Sequence, residues 1–469
     1  MIFFMSLLLV LIRADRIAPV GISFRRDVSA SRLLCGYDPS ACDCDEVAAS
    51  TMGVKPSPSE TPYTVTAVDR FDTTSRAIGF PEGFLWGTST AAHQIEGGNV
   101  NNDWWAWEHS PNSDCAESSG DACDSLRRWP EDIELVASMS LGAYRFSLEW
   151  SRIEPAEGEF SLAALDYYRR MCAACRERDI TPVVTFHHFT NPSWLATRGG
   201  WEAPDAADAF TRFCTRAANH LGDLIGWACT INELNLIGLT GYTTASSPPG
   251  VKDDLVRHLA VNDVVAQAHR SAVDALRSGP GDFPVGLTLS MDEMVAEPGG
   301  EGVLEAAREI LEDRFLRATE GDDFIGVQCY SRLHFGPEGE APNDPAVPTT
   351  QMGYEYWPQG VEHCARRAAT ATGLPVLITE SGIATEDDTE RITYLTEVLR
   401  GVRRALDDGV DIRGYFVWSL LDNFEWMHGF GPKFGLHSVN PETFVRDPKP
   451  SAGWFGEVAR SNRLVLPPG

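Results

Sequence analysis

From about residue 80 onward, short apolar runs alternate with longer stretches that carry apolar residues at helical spacing. Eight runs have strand character, at residues 84–89, 143–149, 182–188, 227–232, 284–290, 324–330, 375–379 and 412–419. Helical stretches lie between them, for example at 162–178, 206–222, 256–278 and 390–407. Strands that alternate with helices pair in parallel through right-handed crossovers. Eight such units predict an α/β fold, a single (β/α)8 TIM barrel with long βα loops.

The main alternative is an open, doubly wound parallel sheet. Such sheets often bind a nucleotide phosphate at a glycine-rich turn after the first strand. The segment after the first run reads TAAHQIEG at 90–97 and has no such turn. The closed barrel is therefore the better prediction.

The barrel domain is expected to span residues 79–463, between an N-terminal extension at 1–78 and a short tail at 464–469. We expect the extension to be poorly ordered, because it is polar and rich in turn-forming residues without sustained periodicity. Its apolar run at 2–12 is too short for a membrane span, which needs about 20 residues, and lacks the flanks of a signal peptide. Both a wrongly assigned start codon, with the true start near Met52, and a genuine targeting segment stay open.

Charge and cysteine usage limit the possible partners. The formal net charge is -28 over 469 residues, so a nucleic acid backbone would be repelled. We expect neither a nucleic acid nor a membrane partner. The 11 cysteines are scattered without zinc-site spacing, which predicts buried free thiols in a reducing compartment. A cytoplasmic location without metal or cofactor follows, although the apolar run at 2–12 leaves secretion open.

Polar and aromatic residues stand at the ends of the predicted strands. In a TIM barrel the carboxyl ends of all strands face one cleft, so such residues are expected to line an active site. They are Gln94, Arg145, His188, Asn232, Glu233, Tyr330, Glu380, Trp418, Glu425 and Trp426. Amide, imidazole and carboxylate groups bind sugar hydroxyls, and indole faces pack against the apolar side of a sugar ring.

Two glutamates in this set indicate catalysis. Glu233 and Glu380 each close a buried apolar run, where a carboxylate is costly to place. Two carboxylates that converge in one cleft can supply the acid and the nucleophile for cleaving a glycosidic bond. A salt-bridge role is the structural alternative for either residue alone. Arg145 and the second carboxylate favour the catalytic interpretation of both.

Four sequence blocks resemble the retaining β-glycosidases of glycoside hydrolase family 1. They are FPEGFLWGTSTAAHQIEG at 80–97, YRFSLEWSRI at 144–153, ITESG at 378–382 and YFVWSLLDNFEW at 415–426. The resemblance runs from about residue 80 to residue 460. It implies hydrolysis of β-glucosides, or of β-galactosides or β-fucosides, by double displacement.

The resemblance also implies roles for individual residues. Glu380 would be the nucleophile and Glu233 the acid and base, with their carboxyls about 5 to 5.5 Å apart. Arg145 and a hydrogen bond from Tyr330 are expected to keep the pKa of Glu380 low, with Asn232 as a further supporting residue. The charge of Glu380 and partial burial are expected to raise the pKa of Glu233.

The same resemblance predicts the residues that bind the substrate. They are Gln94, His188, Asn232, Trp418, Glu425, Trp426, Phe434 and Tyr354. A carboxylate at Glu425 would repel a 6-phosphate, so we expect a neutral sugar.

Several positions depart from the family pattern. Leu234 follows the acid where proline is usual, which adds an N–H group and frees φ. Gln328 and Cys329 stand where asparagine and tyrosine are usual, and Phe189 and Tyr354 replace tryptophans. The preference for a leaving group therefore cannot be carried over from the family.

Two other functions are compatible with these residues. A transglycosidase would share the first chemical step, and a catalytically silent relative would keep the aromatic residues but usually lose a carboxylate.

His187 and His188 point to opposite faces of a strand, so one metal ion cannot easily bind both. Trp104, Trp105 and Trp107 either form a sugar platform or pack the first βα loop, and packing is the preferred interpretation.

Overall fold

The computed structural model describes residues 78–111 and 113–464. Within these residues, eight parallel strands form one barrel wall. They are β1 (Leu85–Ser89), β2 (Ala143–Ser147), β3 (Thr181–His187), β4 (Trp227–Ile231), β5 (Val285–Gly286 and Thr288–Ser290), β6 (Ile325–Gln328), β7 (Val376–Ser381) and β8 (Ile412–Trp418). Each strand overlaps one of the eight predicted runs.

The barrel closes through β5, which is divided at Leu287. Its first part, Val285–Gly286, pairs with β4, and its second part, Thr288–Ser290, pairs with β6. The strand order around the sheet therefore begins and ends on β5. This closure confirms the predicted TIM barrel.

In the described part of the chain, each of the eight strands is followed by one main helix. They are α1 (Ser125–Ser138), α2 (Leu162–Arg176), α3 (Ala206–Leu221), α4 (Leu255–Arg277), α5 (Glu301–Arg308), α6 (Gly360–Thr372), α7 (Asp388–Asp407) and α8 (Pro450–Ser461). α5 continues into a π-helical turn, Glu309–Asp313, and a short helix, Arg314–Ala318. α2 and α4 begin where Ser161 and Asp254 accept a backbone N–H, which satisfies a donor of the first turn. The four helices named from the sequence are confirmed to within two residues at each end.

The apolar character of the strands is explained by burial on both faces. Inside the barrel, residues such as Val183, Cys229, Leu377 and Phe416 form a fully buried cluster. Outside it, a larger core joins the strands to the apolar faces of the helices. Parallel strands covered on both sides carry nearly continuous apolar runs, which is the pattern observed.

The loops after the strands contain further short elements. Helical turns occur at Ala92–Ile95, Asp103–Glu108, Trp150–Ile153, Ser193–Ala196, Gly200–Glu202, Leu234–Tyr242 and Trp426–His428. A three-stranded sheet is formed by Glu293–Ala296, Arg332–Gly336 and Gly339–Ala341, and a hairpin by His437–Val439 and Arg446–Pro448. These elements place structured walls at the carboxyl end of the barrel.

The predicted extension at 1–78 and tail at 464–469 lie outside the described residues, except for Ile78 and Leu464. Ile78–Gly79 pairs antiparallel with Arg463–Leu464. A short two-stranded ribbon thus joins the two predicted domain boundaries.

Candidate active site

Three donors converge on the carboxylate of Glu380, which is 4% exposed near the end of β7. Arg145 Nη1, from β2, donates to Oε1. Gln328 Nε2, at the end of β6, donates to the same oxygen at 3.1 Å. The hydroxyl of Tyr330 donates to Oε2 at 2.7 Å. One cation and two neutral donors favour the ionised form of this carboxylate.

The net pKa of Glu380 nevertheless moves upward. Burial is the largest influence and raises it, while the charge of Arg145 and the hydrogen bond from Tyr330 lower it. Our expectation of a low pKa is therefore wrong in its net direction, because desolvation outweighs the stabilising contacts. The contacts themselves, with Arg145 and Tyr330, are present as predicted.

Asn232 connects the nucleophile candidate to the strand that carries Glu233. Its Oδ1 accepts from Arg145 Nη2 at 2.5 Å and from Gln328 Nε2 at 2.9 Å. Two of the three side chains that hold Glu380 therefore also hold the residue that precedes Glu233. Asn232 Nδ2 in turn donates to His188 Nε2 at 3.1 Å.

Glu233 occupies a left-handed backbone position between β4 and the helix Leu234–Tyr242, with φ 42° and ψ 50°. Its N–H donates to Thr288 Oγ1 at 3.4 Å, and its carbonyl accepts from the N–H of Leu236 at 2.8 Å. Leu234, where the family has proline, is fully buried and begins the helix. The backbone of Glu233 is therefore held by hydrogen bonds through both its N–H group and its carbonyl.

The surroundings of Glu233 favour its protonated form. Burial and then the charge of Glu380 raise its pKa well above the usual range, and Asp292 adds to the rise. A hydrogen bond from Ser290 and the charge of Arg145 act in the opposite direction. The direction agrees with our prediction, and the interaction of the two carboxylates indicates that they share one site.

Gln94 and His188 each present an unused polar atom. Gln94 Nε2 donates to Asn423 Oδ1 at 3.0 Å, to the carbonyl of Phe424 at 2.7 Å and to Glu425 Oε2 at 3.2 Å. Its Oε1 and the Nδ1 of His188 are buried without a hydrogen-bond partner in the described part of the chain. Buried polar atoms of this kind call for a partner such as a ligand hydroxyl.

Aromatic rings form a continuous wall beside these groups. His188 stacks against Trp418 and Trp426, with ring centroids 6.0 and 6.3 Å apart. Behind Trp426 lie His93, at 5.6 Å and nearly parallel, and Trp104 at 4.5 Å. Trp104 is 4% exposed, so it packs the wall from behind and is not a sugar platform.

Phe434 and Tyr354 occupy different parts of the site. Phe434 is buried in one cluster with Trp418, and its ring lies 5.8 Å from that of Tyr330. Tyr354 is 37% exposed and forms no side-chain hydrogen bond with the other predicted residues in the described part of the chain. The buried part of its side chain, and then the charges of Asp292, Glu425 and Glu233, raise the pKa of Tyr354.

Gly382 allows the end of β7 to approach Trp418. A Cβ atom at Gly382 would lie 2.1 Å from the carbonyl oxygen of Trp418. A larger residue would therefore separate Glu380 from the aromatic wall.

Gln328, Ser290 and Asp292 are site residues that sequence reasoning missed. Gln328 was noted as a departure only, although it ends β6 as Ser290 ends β5. The rule that strand ends line the cleft would have included both. In the described ranges, no group of three acidic, histidine or cysteine side chains is arranged to hold a metal ion.

The chain is similar to known glycosidases over most of its length. The family model described as Glycosyl hydrolase family 1 matches residues 76–320 and 325–464. Beta-glucosidase A of Thermotoga maritima is 33% identical over 442 residues, covering 82% of this chain and 98% of the relative. A bifunctional beta-D-glucosidase/beta-D-fucosidase of Bifidobacterium breve is 29% identical, covering 80% of this chain and 97% of its own. The crystal structure of the beta-glycosidase BGL167 superposes with a TM-score of 0.76 at 45% identity, over 83% of this chain and 99% of its own.

Proposed function

The chain belongs to glycosyl hydrolase family 1 and is a retaining β-glycosidase, and on this premise we propose that Glu380 is its nucleophile and Glu233 its acid and base. Glu380 attacks the anomeric carbon while Glu233 gives its proton to the departing oxygen, which leaves a glycosyl ester on Glu380. Glu233 then takes a proton from water, and the water oxygen attacks the same carbon and displaces Glu380. Two inversions restore the starting configuration.

The observation that carries this assignment is the contrast between the two carboxylates. Glu380 receives three donors, one of them cationic. Glu233 has the charges of Glu380 and Asp292 beside it, and its pKa is raised well above the usual range. When Glu380 becomes an ester its charge disappears, so the pKa of Glu233 falls and the residue becomes a base. The carboxyl separation of about 5 to 5.5 Å stays a prediction.

The proposed substrate is a terminal, non-reducing β-linked neutral sugar, with glucose first and fucose or galactose as further candidates. The relatives named above act on β-glucosides and, in one case, on β-fucosides. Gln94 Oε1 and His188 Nδ1 are free to bind hydroxyls, and burial with the charge of Arg145 keeps the pKa of His188 well below its usual value. His188 would therefore act as a neutral donor.

Glu425 would contact the far hydroxyls of the sugar. Burial, and then the charge of Glu380, raise its pKa to about 8. Near neutral pH it is therefore largely protonated, so charge repulsion of a 6-phosphate is weaker than we expected and grows as pH rises. Its neighbours Gln94 and Trp418 carry no positive charge that would bind a phosphate. Asn232, Trp426, Phe434 and Tyr354 complete the proposed substrate contacts.

A cytoplasmic location is also proposed. Eight cysteines in the described ranges are free thiols, seven of them buried, as expected in a reducing compartment. Among the helices of the described residues, none has the length and apolar character needed to cross a membrane.

The decisive experiment compares wild type with Glu380→Ala and Glu233→Ala on nitrophenyl β-glycosides. We expect wild-type turnover of the glucoside and loss of at least about 10⁴-fold in Glu380→Ala, since no nucleophile remains. Glu233→Ala should still form the glycosyl-enzyme from an activated leaving group, and azide should then release a β-glycosyl azide.

The anomer of the azide product is the sharper measurement. Azide that replaces water in the second step gives the β-azide, whereas azide that replaces the nucleophile of Glu380→Ala gives the α-azide by a single inversion. If the two variants gave the opposite azide anomers, the roles of Glu233 and Glu380 would have to be exchanged. Full activity in Glu380→Ala would overturn its assignment as nucleophile. Glu457→Ala, on the outer helix α8, is the matched control.

A further inference from the structure

The ends of β5 and β6 border the side of the site where the leaving group must lie. Around the barrel these two strands stand between β4, which leads to Glu233, and β7, which carries Glu380. Most of the residues proposed to hold the sugar ring, such as Gln94, His188 and Trp418, come from the other arc, formed by β8, β1, β2 and β3. Glu233 protonates the oxygen that joins sugar and leaving group, so groups next to Glu233 on the β5 side face the leaving group.

Asp292 is a carboxylate at this position that the catalytic scheme does not use. It follows β5 by two residues and is half-buried. Its Oδ1 accepts the backbone N–H groups of Ser331 at 3.0 Å and Tyr330 at 3.4 Å. Its Oδ2 has no hydrogen-bond partner within residues 78–111 and 113–464. One oxygen fixes the side chain to the end of β6, and the other is free.

Asp292 acts on the same part of the site as Ser290, which is two residues before it. Ser290 donates to the carboxyl of Glu233, and its backbone N–H and carbonyl both bond the side chain of Asn235, at 3.2 and 2.9 Å. The charge of Asp292 acts on both Glu233 and Tyr354. Burial raises the pKa of Asp292, and the two backbone N–H groups counter part of this rise.

The nearby positive charge is already committed elsewhere. Arg332, in the sheet above β6, pairs with Glu355, lies 3.8 Å from Asp344 and covers the ring of Trp357 at 3.7 Å. A further acid, Glu340, is close enough to feel the charge of Asp292. Asp292 and Glu340 therefore make the leaving-group side anionic. Among the contacts described for Asp292, there is no cation that would neutralise this charge.

We propose that Asp292 determines specificity for the leaving group: its free carboxylate oxygen accepts a hydrogen bond from a hydroxyl or ammonium group and repels a negatively charged one. The favoured substrates are then β-glycosides of a second sugar or of another polyhydroxylated or cationic alcohol. This inference rests on the proposed function, because it names the partner of the same reaction.

The test uses three nitrophenyl β-glucosides that differ in one ring substituent: hydroxymethyl, aminomethyl or carboxylate. Wild type and Asp292→Asn are compared by kcat/KM at neutral pH and low salt, and the comparison of enzymes cancels the intrinsic reactivity of each substrate. We expect the carboxylate to be at least about tenfold poorer than the hydroxymethyl compound in wild type, and this ratio to shrink by about fivefold or more in Asp292→Asn. Any advantage in kcat/KM that the aminomethyl compound has over the hydroxymethyl compound in wild type should disappear in Asp292→Asn.

Asp411→Asn is the matched control, because it removes the same charge just before β8, at the opposite end of the barrel. It should leave all three ratios as in wild type. High salt should narrow the wild-type ratio without any mutation, since screening weakens charge repulsion. This measurement keeps the inference testable if Asp292→Asn folds poorly, although the asparagine oxygen can still accept both N–H groups.

The outcomes separate the two proposals. If wild type hydrolyses none of the three glucosides, the proposed function fails and this inference fails with it. If it hydrolyses them but the ratios are the same in wild type, in Asp292→Asn and in high salt, only the role of Asp292 is overturned.

Discussion

The surroundings of Glu380 and those of Glu233 differ although both are buried glutamates at strand ends of one barrel. Glu380 is held by a guanidinium, an amide and a phenol. The charges of Glu380 and Asp292 act on Glu233, and Ser290 is the hydrogen-bond donor that acts on its carboxyl. Desolvation raises both pKa values and the charge of Arg145 opposes both rises, but only Glu380 forms an ion pair with that cation.

This difference explains how one residue type can supply the two chemical functions that we propose. Burial alone would protonate both carboxylates and leave no nucleophile. Arg145, Gln328 and Tyr330 restore the charge of one, and that charge helps to keep the proton on the other. The difference in protonation between Glu380 and Glu233 is therefore set by their neighbours. Three substitutions should reduce this difference, and they follow from the largest expected effect to the smallest.

The largest effect is expected for Tyr330→Phe. It removes the donor to Glu380 Oε2, and a hydrogen bond to a charged group contributes about 1.5 to 3 kcal/mol, so kcat/KM should fall by about 100-fold. The phenol lowers the pKa of Glu380, so its loss raises that pKa and moves the acidic limb of the pH profile to higher pH. The control is Tyr167→Phe, because the Tyr167 hydroxyl contacts the Ser125 carbonyl on the outer surface of the barrel. An unmoved acidic limb would contradict the assignment.

Gln328→Met should have a smaller effect in the same direction. It removes one neutral donor shared by Glu380 and Asn232 while keeping the volume of the side chain, so we expect a loss of about tenfold in kcat/KM. Gln328→Asn, the residue usual in the family, tests whether a shorter amide restores the contact. Equal activity of the methionine variant and wild type would mean that Arg145 and Tyr330 alone hold the nucleophile.

The smallest effect is expected on the acid side, for Asp292→Asn. The charge of Asp292 raises the pKa of Glu233, so its removal lowers that pKa. The protonated acid is then lost at lower pH, and the basic limb of kcat/KM on the hydroxymethyl glucoside should move down while the value at the optimum changes by less than about threefold. A basic limb that moves up, or an acidic limb that moves instead, would show that Asp292 acts on a different group.

The sequence predicts most of the fold because periodicity is a local property. The eight apolar runs, four helices and the strand-end rule locate Arg145 in β2, Asn232 directly after β4 and Glu380 near the end of β7, as the structure has them. The division of β5 at Leu287 is not predictable in this way, because each half pairs with a different neighbouring strand. Which strands pair depends on the closure of the barrel, so it cannot be seen in the apolar sequence of the run itself.

The site is predicted less completely, and for physical reasons. Counting donors around Glu380 finds the right contacts but the wrong net pKa direction, since desolvation depends on the depth of the cleft. Gln328 was treated as a loss of the usual asparagine, whereas its longer side chain reaches both Glu380 and Asn232. Asp292 lies two residues past its strand, where a polar residue is unremarkable until the neighbouring loop is placed.

The positive φ of Glu233 has a consequence for how far this protein is optimised for folding. A residue with a side chain at φ 42° is less stable than glycine there by about 1 to 2 kcal/mol. Steric preference alone would therefore select glycine at the position that carries the proposed proton donor. If Glu233 is the acid, part of the conformational stability of the enzyme has been given up for turnover.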